Sequence, residues 1–206
     1  MAGVLSRLQR LGVAVSAVAL VWALAGPEPA ASPAPTSVVR GLVEDVRAIL
    51  DDPALKGAER TEAREGKIRE LLATRFNLAA MAAEALGEHL APRTAAERRE
   101  FVGLFGDLFT RAYTRLVVNF LGEATIEYGA EEVRDGTARV ETGVLNRRGE
   151  RLPVAYRLTL AGEGWELRDV IIDDVSIVEN YRVQFHKIIT ASSYESLVKR
   201  LRARRE

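Results

Sequence analysis

The amino-acid sequence predicts an α+β fold, in which a helical N-terminal half and C-terminal helices pack on a four-stranded antiparallel sheet. Apolar residues recur at helical spacing in the first half, alternate with a period of two between about residues 126 and 172, and return to helical spacing after Ser176. Turn-forming residues, Asp135-Gly136 and Gly162-Glu163-Gly164, interrupt the alternating part. Because short turns join neighbouring antiparallel strands, the alternating segments are expected to form one sheet.

The first 25 residues differ in character from the rest of the chain. Arg7 and Arg10 precede the uncharged apolar run Leu11–Ala25, which ends in the small-x-small sequence Ala23-Leu24-Ala25. These are the parts of a secretory signal peptide, and cleavage is predicted after Ala25. An uncleaved anchor or a buried core helix is the alternative, since Trp22 and the proline-rich stretch after it are compatible with either.

The mature chain is predicted to consist of a linker and one domain. Residues 26–36 contain four prolines among small and polar residues. Such a stretch has no apolar face to bury, so it is expected to be a flexible linker. The remaining residues, 37–206, have the usual length of a single domain.

Four helices are predicted before the sheet. The first begins near Val38, the second near Ala58, and the third after Asn77. Thr94 and Glu97 have the residue types and spacing of a capping box, which opens a long fourth helix. Its apolar residues at helical spacing are Phe101, Leu104, Phe105, Leu108, Ala112 and Leu116.

The alternating part predicts four strands, and two helices follow them. The strands begin near Ile126, Ala138, Leu152 and Trp165. The third has the clearest alternation, because every second residue from Leu152 to Leu160 is apolar. The last helix, from about Tyr194, is basic.

Composition excludes several classes of function. Lys and Arg total 29 and Asp and Glu total 29, so the formal net charge is zero and binding of nucleic acid by bulk attraction is not expected. The chain has no cysteine, which excludes disulfides, thiolate metal sites and cysteine nucleophiles.

No catalytic residue and no metal site is predicted. The chain has two histidines, His89 and His186, and neither has a second ligand at metal-binding spacing in the sequence. They are expected to be surface or helix-end residues. Asp173 and Asp174 are adjacent, so a turn or a cap explains them better than a catalytic pair. The basic end, Lys199–Arg205, suits either anionic headgroups or a helix C-terminus.

The C-terminal third resembles the signature of the MlaC family, also called the toluene-tolerance auxiliary family. From Trp165 it reads WELRDVIIDDVSIVENYRVQFHKII. The helical segments RFNLAAMAAEALGEHL and TAAERREFVGLFGDLFTRAY are similar to that family as well, so the resemblance covers roughly residues 38–203. Asp174 stands where the family usually has glycine, and a turn with positive φ tolerates aspartate at modest cost. The matching positions are Trp165, Asp169, Val170, Ile172, Asp173, Val175, Ser176, Asn180, Tyr181, Arg182, Gln184, Phe185 and Leu197.

This resemblance implies a periplasmic phospholipid carrier whose helices and sheet enclose an apolar lipid pocket. Its cargo is expected to be a diacyl phospholipid, with no cofactor. Its expected partners are an inner-membrane ABC transporter with an MCE-domain subunit and an outer-membrane lipoprotein complex, between which a monomeric carrier passes lipid and so maintains outer-membrane asymmetry.

The predicted inward faces of the helices and strands, together with the resemblance, suggest two groups of site residues. Tyr181, Arg182 and Gln184 are expected to contact the headgroup or a partner; alternatively, they form a structural network that holds the last helices on the sheet. The expected lipid-binding residues lie between the long helix and the sheet, where the alternative is a solid core. They are Phe101, Phe105, Leu108, Tyr113, Val154, Tyr156, Val170, Ile172 and Val175.

Three other functions stay open at this point. One is a specialised carrier of another apolar lipid, such as a hopanoid. Another is an extracytoplasmic enzyme that uses the same pocket with Asp169 or Asp173 as a base, which requires a buried acid of raised pKa beside the cavity. The third is an interaction module with a filled core.

Overall fold

The structure, a computed structural model, describes residues 33–122, 124–162 and 164–204. The predicted signal peptide and residues 26–32 of the predicted linker lie outside the described residues. Helix α1 spans Pro35–Asp51. It thus begins inside the segment that was expected to be a linker, because Pro35 occupies its first turn, where the missing N–H of proline costs no hydrogen bond.

Three further α-helices precede the sheet: α2 spans Thr61–Arg75, α3 spans Leu78–Leu86 and α4 spans Ala95–Phe120. The expected second helix begins with a separate 3-10 helix at Ala58–Arg60. Local sequence sets the other starts. The Asn77 side chain accepts a hydrogen bond from the Ala80 N–H at 2.9 Å, and Thr94 and Glu97 form the predicted capping box at the start of α4.

The antiparallel sheet follows α4, with its strands in sequential order. Its strands are β1 Thr125–Arg134, β2 Thr137–Leu145, β3 Arg151–Ala161, β4 Gly164–Ile172 and β5 Val175–Ser176. The hairpin at Asp135-Gly136 is confirmed, and both residues have positive φ. The fifth strand corrects the predicted count of four, because two residues are too few to show an alternating pattern.

The turn before β5 contains Asp173 and Asp174, with φ of 49° and 62°. This left-handed conformation allows Val175 to pair with Ile172 and Ser176 with Ile171. Helix α5 then spans Ile177–Ala191 and α6 spans Tyr194–Ala203. None of the helices among the described residues is both long and apolar enough to cross a membrane.

The hydrophobic core lies between the helices and one face of the sheet. Neighbouring strands align their inward side chains in rows, as in the row Val140, Tyr156 and Val170. These three side chains are buried in one core cluster with residues of all six α-helices. The predicted α+β architecture is therefore confirmed.

Candidate functional site

Four aromatic side chains of α4 form a continuous column through the core. The aromatic column consists of Phe101, Phe105, Phe109 and Tyr113, which recur every fourth residue. Successive ring centroids are 6.4, 6.3 and 5.2 Å apart, and the rings are nearly parallel. Aromatic pairs at such separations attract each other beyond the effect of burial alone. The column is the largest aromatic feature of the interior.

The column changes neighbours along its length. Near the start of α4, Phe101 contacts Phe185 of α5 at 5.7 Å and Tyr194 of α6 at 6.3 Å, measured between ring centroids. Further along, Phe109 contacts Phe76, which follows α2, at 5.1 Å. A step of four residues turns a helix by about 400°, so the column drifts around α4 by about 40° per step. Helix α4 therefore packs on α5 and α6 near its start and, further along, on Phe76, which pairs with Leu167 of β4.

Two phenols, those of Tyr113 and Tyr156, lie buried in this interior. Burial raises the pKa of Tyr113 well above its usual value, and the nearby Tyr156 and Asp169 raise it further. Burial also raises the pKa of Tyr156. Both hydroxyls are therefore neutral at physiological pH, and this part of the interior suits an apolar ligand.

The structure places the nine predicted lipid-binding residues in three environments. Six of them are buried in the core cluster: Phe101, Phe105, Tyr113, Val154, Tyr156 and Val170. Leu108 and Ile172 are partly buried and pack against that cluster. Val175 is 55% exposed, so the structure does not bring it together with the others. It lies on β5, which is the edge strand of the sheet that the described residues form.

Leu108 and Tyr181, one from each predicted group, meet in a surface groove. We call it the α4–α6 groove; residues of α4 and α6 line it together with Tyr181 of α5 and with Arg204, and its volume is about 340 Å³. Tyr181 also contacts the aromatic column, because its ring lies edge-on to that of Phe105 with centroids 5.7 Å apart. Three arginines and one acid, Asp107, also line the groove. The arginines are Arg111, Arg115 and Arg204.

Neither Arg182 nor Gln184 lines this groove. The guanidinium of Arg182 donates two hydrogen bonds of 2.7 Å to Glu179, and Gln184 donates to Asn180 at 3.1 Å. Arg182 lies about 100° around the helix from Tyr181, whereas Gln184 lies only about 60° away and its amide is held by Asn180. The three predicted headgroup residues thus form no common cluster in the structure.

Asp169 is buried, yet its surroundings explain it without catalysis. Its carboxylate accepts hydrogen bonds from the N–H groups of Val170 at 2.8 Å and Val178 at 3.1 Å, and from the Ser176 hydroxyl at 2.5 Å. The same hydroxyl accepts from the Glu179 N–H and caps α5. Asp169 therefore holds the start of α5 against β4. Asp173, the other acid considered as a base, is exposed in the turn.

Sequence reasoning missed Phe109 as a site residue. Its signal was available, because Phe109 continues the four-residue spacing from Phe101 and Phe105. The sequence did not reveal that Glu88, His89 and His186 lie together, with one ligand atom from each within 4.8 Å of the others. Among the described residues, these three side chains form the group whose ligand atoms are close enough together for a metal ion, and none of them belongs to the aromatic column.

Comparisons with known proteins agree with this architecture. A search of curated proteins finds no match. Among solved structures, a phospholipid-binding protein from Ralstonia solanacearum, in complex with a phospholipid, is similar with a TM-score of 0.70 and 25% sequence identity, over 82% of this chain and 95% of that one. The sequence profile described as MlaC protein matches residues 40–203. Since that match spans most of the chain, this protein belongs to the MlaC family.

Proposed function

We propose that this chain is a periplasmic phospholipid carrier that passes lipid between an outer-membrane lipoprotein complex and an inner-membrane ABC transporter with an MCE-domain subunit, and so maintains outer-membrane lipid asymmetry. The observation that carries this proposal is the similarity, in fold and sequence, to a protein whose structure contains a bound phospholipid. Membership of the MlaC family supports it. Export to the periplasm follows from the predicted signal peptide, residues 1–25.

Elementary energetics explain why such a carrier is needed. Burial of one methylene is worth about 0.8 kcal/mol, so a lipid with about 30 methylenes faces more than 20 kcal/mol against entering water. An apolar protein interior replaces the bilayer interior for those methylenes. Transfer between membrane and carrier is then nearly neutral in free energy. It requires binding and release and no covalent chemistry, which agrees with the saturated hydrogen bonding of Asp169.

The acyl chains are proposed to lie between α4 and the inner face of the sheet. This region offers the aromatic column and the buried side chains Val154, Tyr156 and Val170. Because the side chains of the column and those of Tyr156 and Val170 are already buried in one core, lipid enters only if the helices and the sheet move apart. Val175, which is exposed, is left out of this proposed contact surface.

The α4–α6 groove is the proposed position of the headgroup. A phospholipid has an anionic phosphate next to apolar chains, and the groove combines arginines with Leu108 and Tyr181. Arg111 also donates a hydrogen bond to the backbone carbonyl of Arg204 at 3.4 Å, which links α4 to α6. Tyr181 connects the groove to the aromatic column.

The first test is mass spectrometry of an organic extract from protein expressed with its N-terminal segment and purified from the periplasm. Diacyl phospholipid in a one-to-one ratio is expected. A hopanoid or another apolar lipid would identify a carrier of that lipid, and lipid breakdown products would indicate an enzyme. An empty extract, repeated after incubation with liposomes, would contradict the proposal.

A charged substitution in the groove tests the site itself. L108E is expected to reduce recovered phospholipid at least about tenfold, because a carboxylate among the groove arginines competes with the phosphate for them and repels its negative charge. A96E is the matched control, since it adds the same charge at an exposed position of α4. Equal lipid recovery from both folded variants would remove Leu108 from the site.

A further inference from the structure

The only two histidines of the sequence lie side by side in the folded chain. His89 belongs to the 3-10 helix Gly87–Leu90, which follows α3, and His186 belongs to α5. The Nε2 atom of His89 lies 3.1 Å from the Nδ1 atom of His186. Tertiary folding therefore brings together two metal-ligating side chains that are 97 residues apart in the sequence.

A carboxylate completes the group. The Oε1 atom of Glu88 lies 3.1 Å from Nδ1 of His186 and 3.9 Å from Nε2 of His89. We call Glu88, His89 and His186 the His–Glu cluster. Two imidazoles and one carboxylate are a ligand set that Zn²⁺ uses when it keeps a further position for water.

The spacing of these atoms suits a metal ion. Zinc–nitrogen and zinc–oxygen bonds of about 2.0–2.1 Å in a tetrahedral site place neighbouring ligand atoms about 3.3 Å apart. The three observed separations, 3.1, 3.1 and 3.9 Å, differ from that spacing by about 0.2, 0.2 and 0.6 Å. A rotation of the Glu88 side chain, which is 73% exposed, is enough to shorten the longest of them.

The surroundings leave room for an ion and its water. The cluster lines a surface cavity of about 350 Å³, which Arg182 and Val183 also line. The positive charge of Arg182 opposes a cation here, but two hydrogen bonds of 2.7 Å pair it with Glu179. That pairing compensates much of the charge, so the cavity does not exclude a divalent ion.

We propose that the His–Glu cluster binds one divalent transition-metal ion, with Zn²⁺ preferred over Mg²⁺ or Ca²⁺. Imidazole ligands favour zinc and its neighbours in the periodic table, whereas Mg²⁺ and Ca²⁺ take oxygen ligands. A bound ion connects the 3-10 helix after α3 to the middle of α5. It therefore stabilises the packing of α5, the helix that also carries Tyr181 and Phe185. This site is separate from the proposed lipid site.

A cobalt titration tests the site, because Co²⁺ bound to nitrogen and oxygen ligands in tetrahedral geometry absorbs visible light. The full chain is expressed without a histidine tag, stripped of metal with a chelator and titrated with Co²⁺, after which Zn²⁺ is added as competitor. One equivalent of Co²⁺ is expected to bind, and Zn²⁺ is expected to displace it. Zn²⁺ is also expected to raise the melting temperature of the metal-free protein.

Two variants and a control assign the ligands. H186A is expected to weaken Zn²⁺ binding by more than about 100-fold, since even loss of an outer-shell partner typically costs 10–100-fold. E88Q is expected to weaken it by at least about tenfold. K187A, the next and equally exposed position of α5, is expected to bind as the wild type does.

Both substituted side chains are largely exposed, at 54% for His186 and 73% for Glu88, so these variants are expected to fold, and circular dichroism verifies this. Unsaturable Co²⁺ binding by the wild type would overturn the proposal, as would equal Zn²⁺ affinity in H186A and K187A. In either case the two imidazoles are held by a hydrogen bond between their nitrogens and not by a metal ion. The readouts involve no lipid, so they stand apart from the test of the carrier function.

Discussion

Replacing Phe109 by alanine tests the packing of the interior most directly. Phe109 is buried, and its ring contacts those of Phe76, Phe105 and Tyr113 at centroid distances of 5.1, 6.3 and 5.2 Å. F109A removes all three contacts at once. It also leaves a cavity in the core beside the middle of α4, which the surrounding side chains can close only in part.

The expected destabilisation is about 4 kcal/mol. An aromatic side chain buries about 150–250 Å², which corresponds to about 4–6 kcal/mol at 25 cal/mol per Å². Alanine keeps part of that burial, and Phe→Ala substitutions in cores typically cost 3–5 kcal/mol. For a domain of this size, 4 kcal/mol lowers the melting temperature by about 8–16 °C.

The assay is thermal and urea unfolding of lipid-free protein, followed by circular dichroism. F120A is the control, because Phe120 is the last residue of the same helix and is 49% exposed. Its expected cost is within about 0.5 kcal/mol of zero. Equal losses for F109A and F120A would refute the packing described for the aromatic column.

F109A also connects the packing of the interior to the proposed function. If acyl chains lie along the column, they fill the volume that F109A opens. The substitution should then lower the free energy of unfolding less in lipid-loaded protein than in lipid-free protein. An identical loss in both states would mean that the chains lie elsewhere.

Two further predictions concern local structure. D174G is expected to raise the free energy of unfolding by up to about 1 kcal/mol, because glycine adopts the left-handed φ of this turn without the cost that aspartate pays; a lower urea midpoint would show that the Asp174 side chain stabilises the turn. T94A is expected to cost about 1 kcal/mol at pH 7 by removing the cap of α4. Hydrogen bonds from Thr94, the backbone N–H first, hold the pKa of Glu97 below its usual value. The stability that the ionised Glu97 side chain contributes is complete above about pH 4.3, the pKa of an unfolded glutamate. It is lost as the pH falls through the lower pKa of Glu97 in the folded protein. The cost of T94A, measured by urea unfolding, should therefore shrink in acid, and an unchanged cost would show that the charge of Glu97 plays no part.

Helix α4 illustrates which inferences local sequence allows. Its start was predictable, because the capping box involves only residues three positions apart. Its buried face was only partly predictable. Leu108, Ala112 and Leu116 have helical spacing, yet the residues that follow them, Phe109, Tyr113 and Val117, are the buried ones. Both stripes are apolar, so the positions of α5, α6 and the sheet determine which one lies inside.

The candidate site residues likewise show what the sequence could predict and what it could not. Tyr181, Arg182 and Gln184 stand close together in the sequence, but Arg182 pairs with Glu179 and Gln184 with Asn180, and only Tyr181 lines the groove. Leu108 and Tyr181 are far apart in the sequence, and the packing of α4 against α5 brings them into one groove. Proximity in the sequence was thus a poor guide to proximity in the site.

By itself, the sequence determined the six α-helices of the described residues, the first four strands, the hairpin at Asp135-Gly136 and the family resemblance, because these depend on periodicity and on motifs a few residues long. Only the tertiary structure decided that Asp169 binds the start of α5 and that His89 meets His186. Periodicity shows which face of an element is apolar, but it carries no information about which distant element covers that face. Contacts between residues about a hundred positions apart are set by how the chain returns on itself, and that is a property of the packed core as a whole.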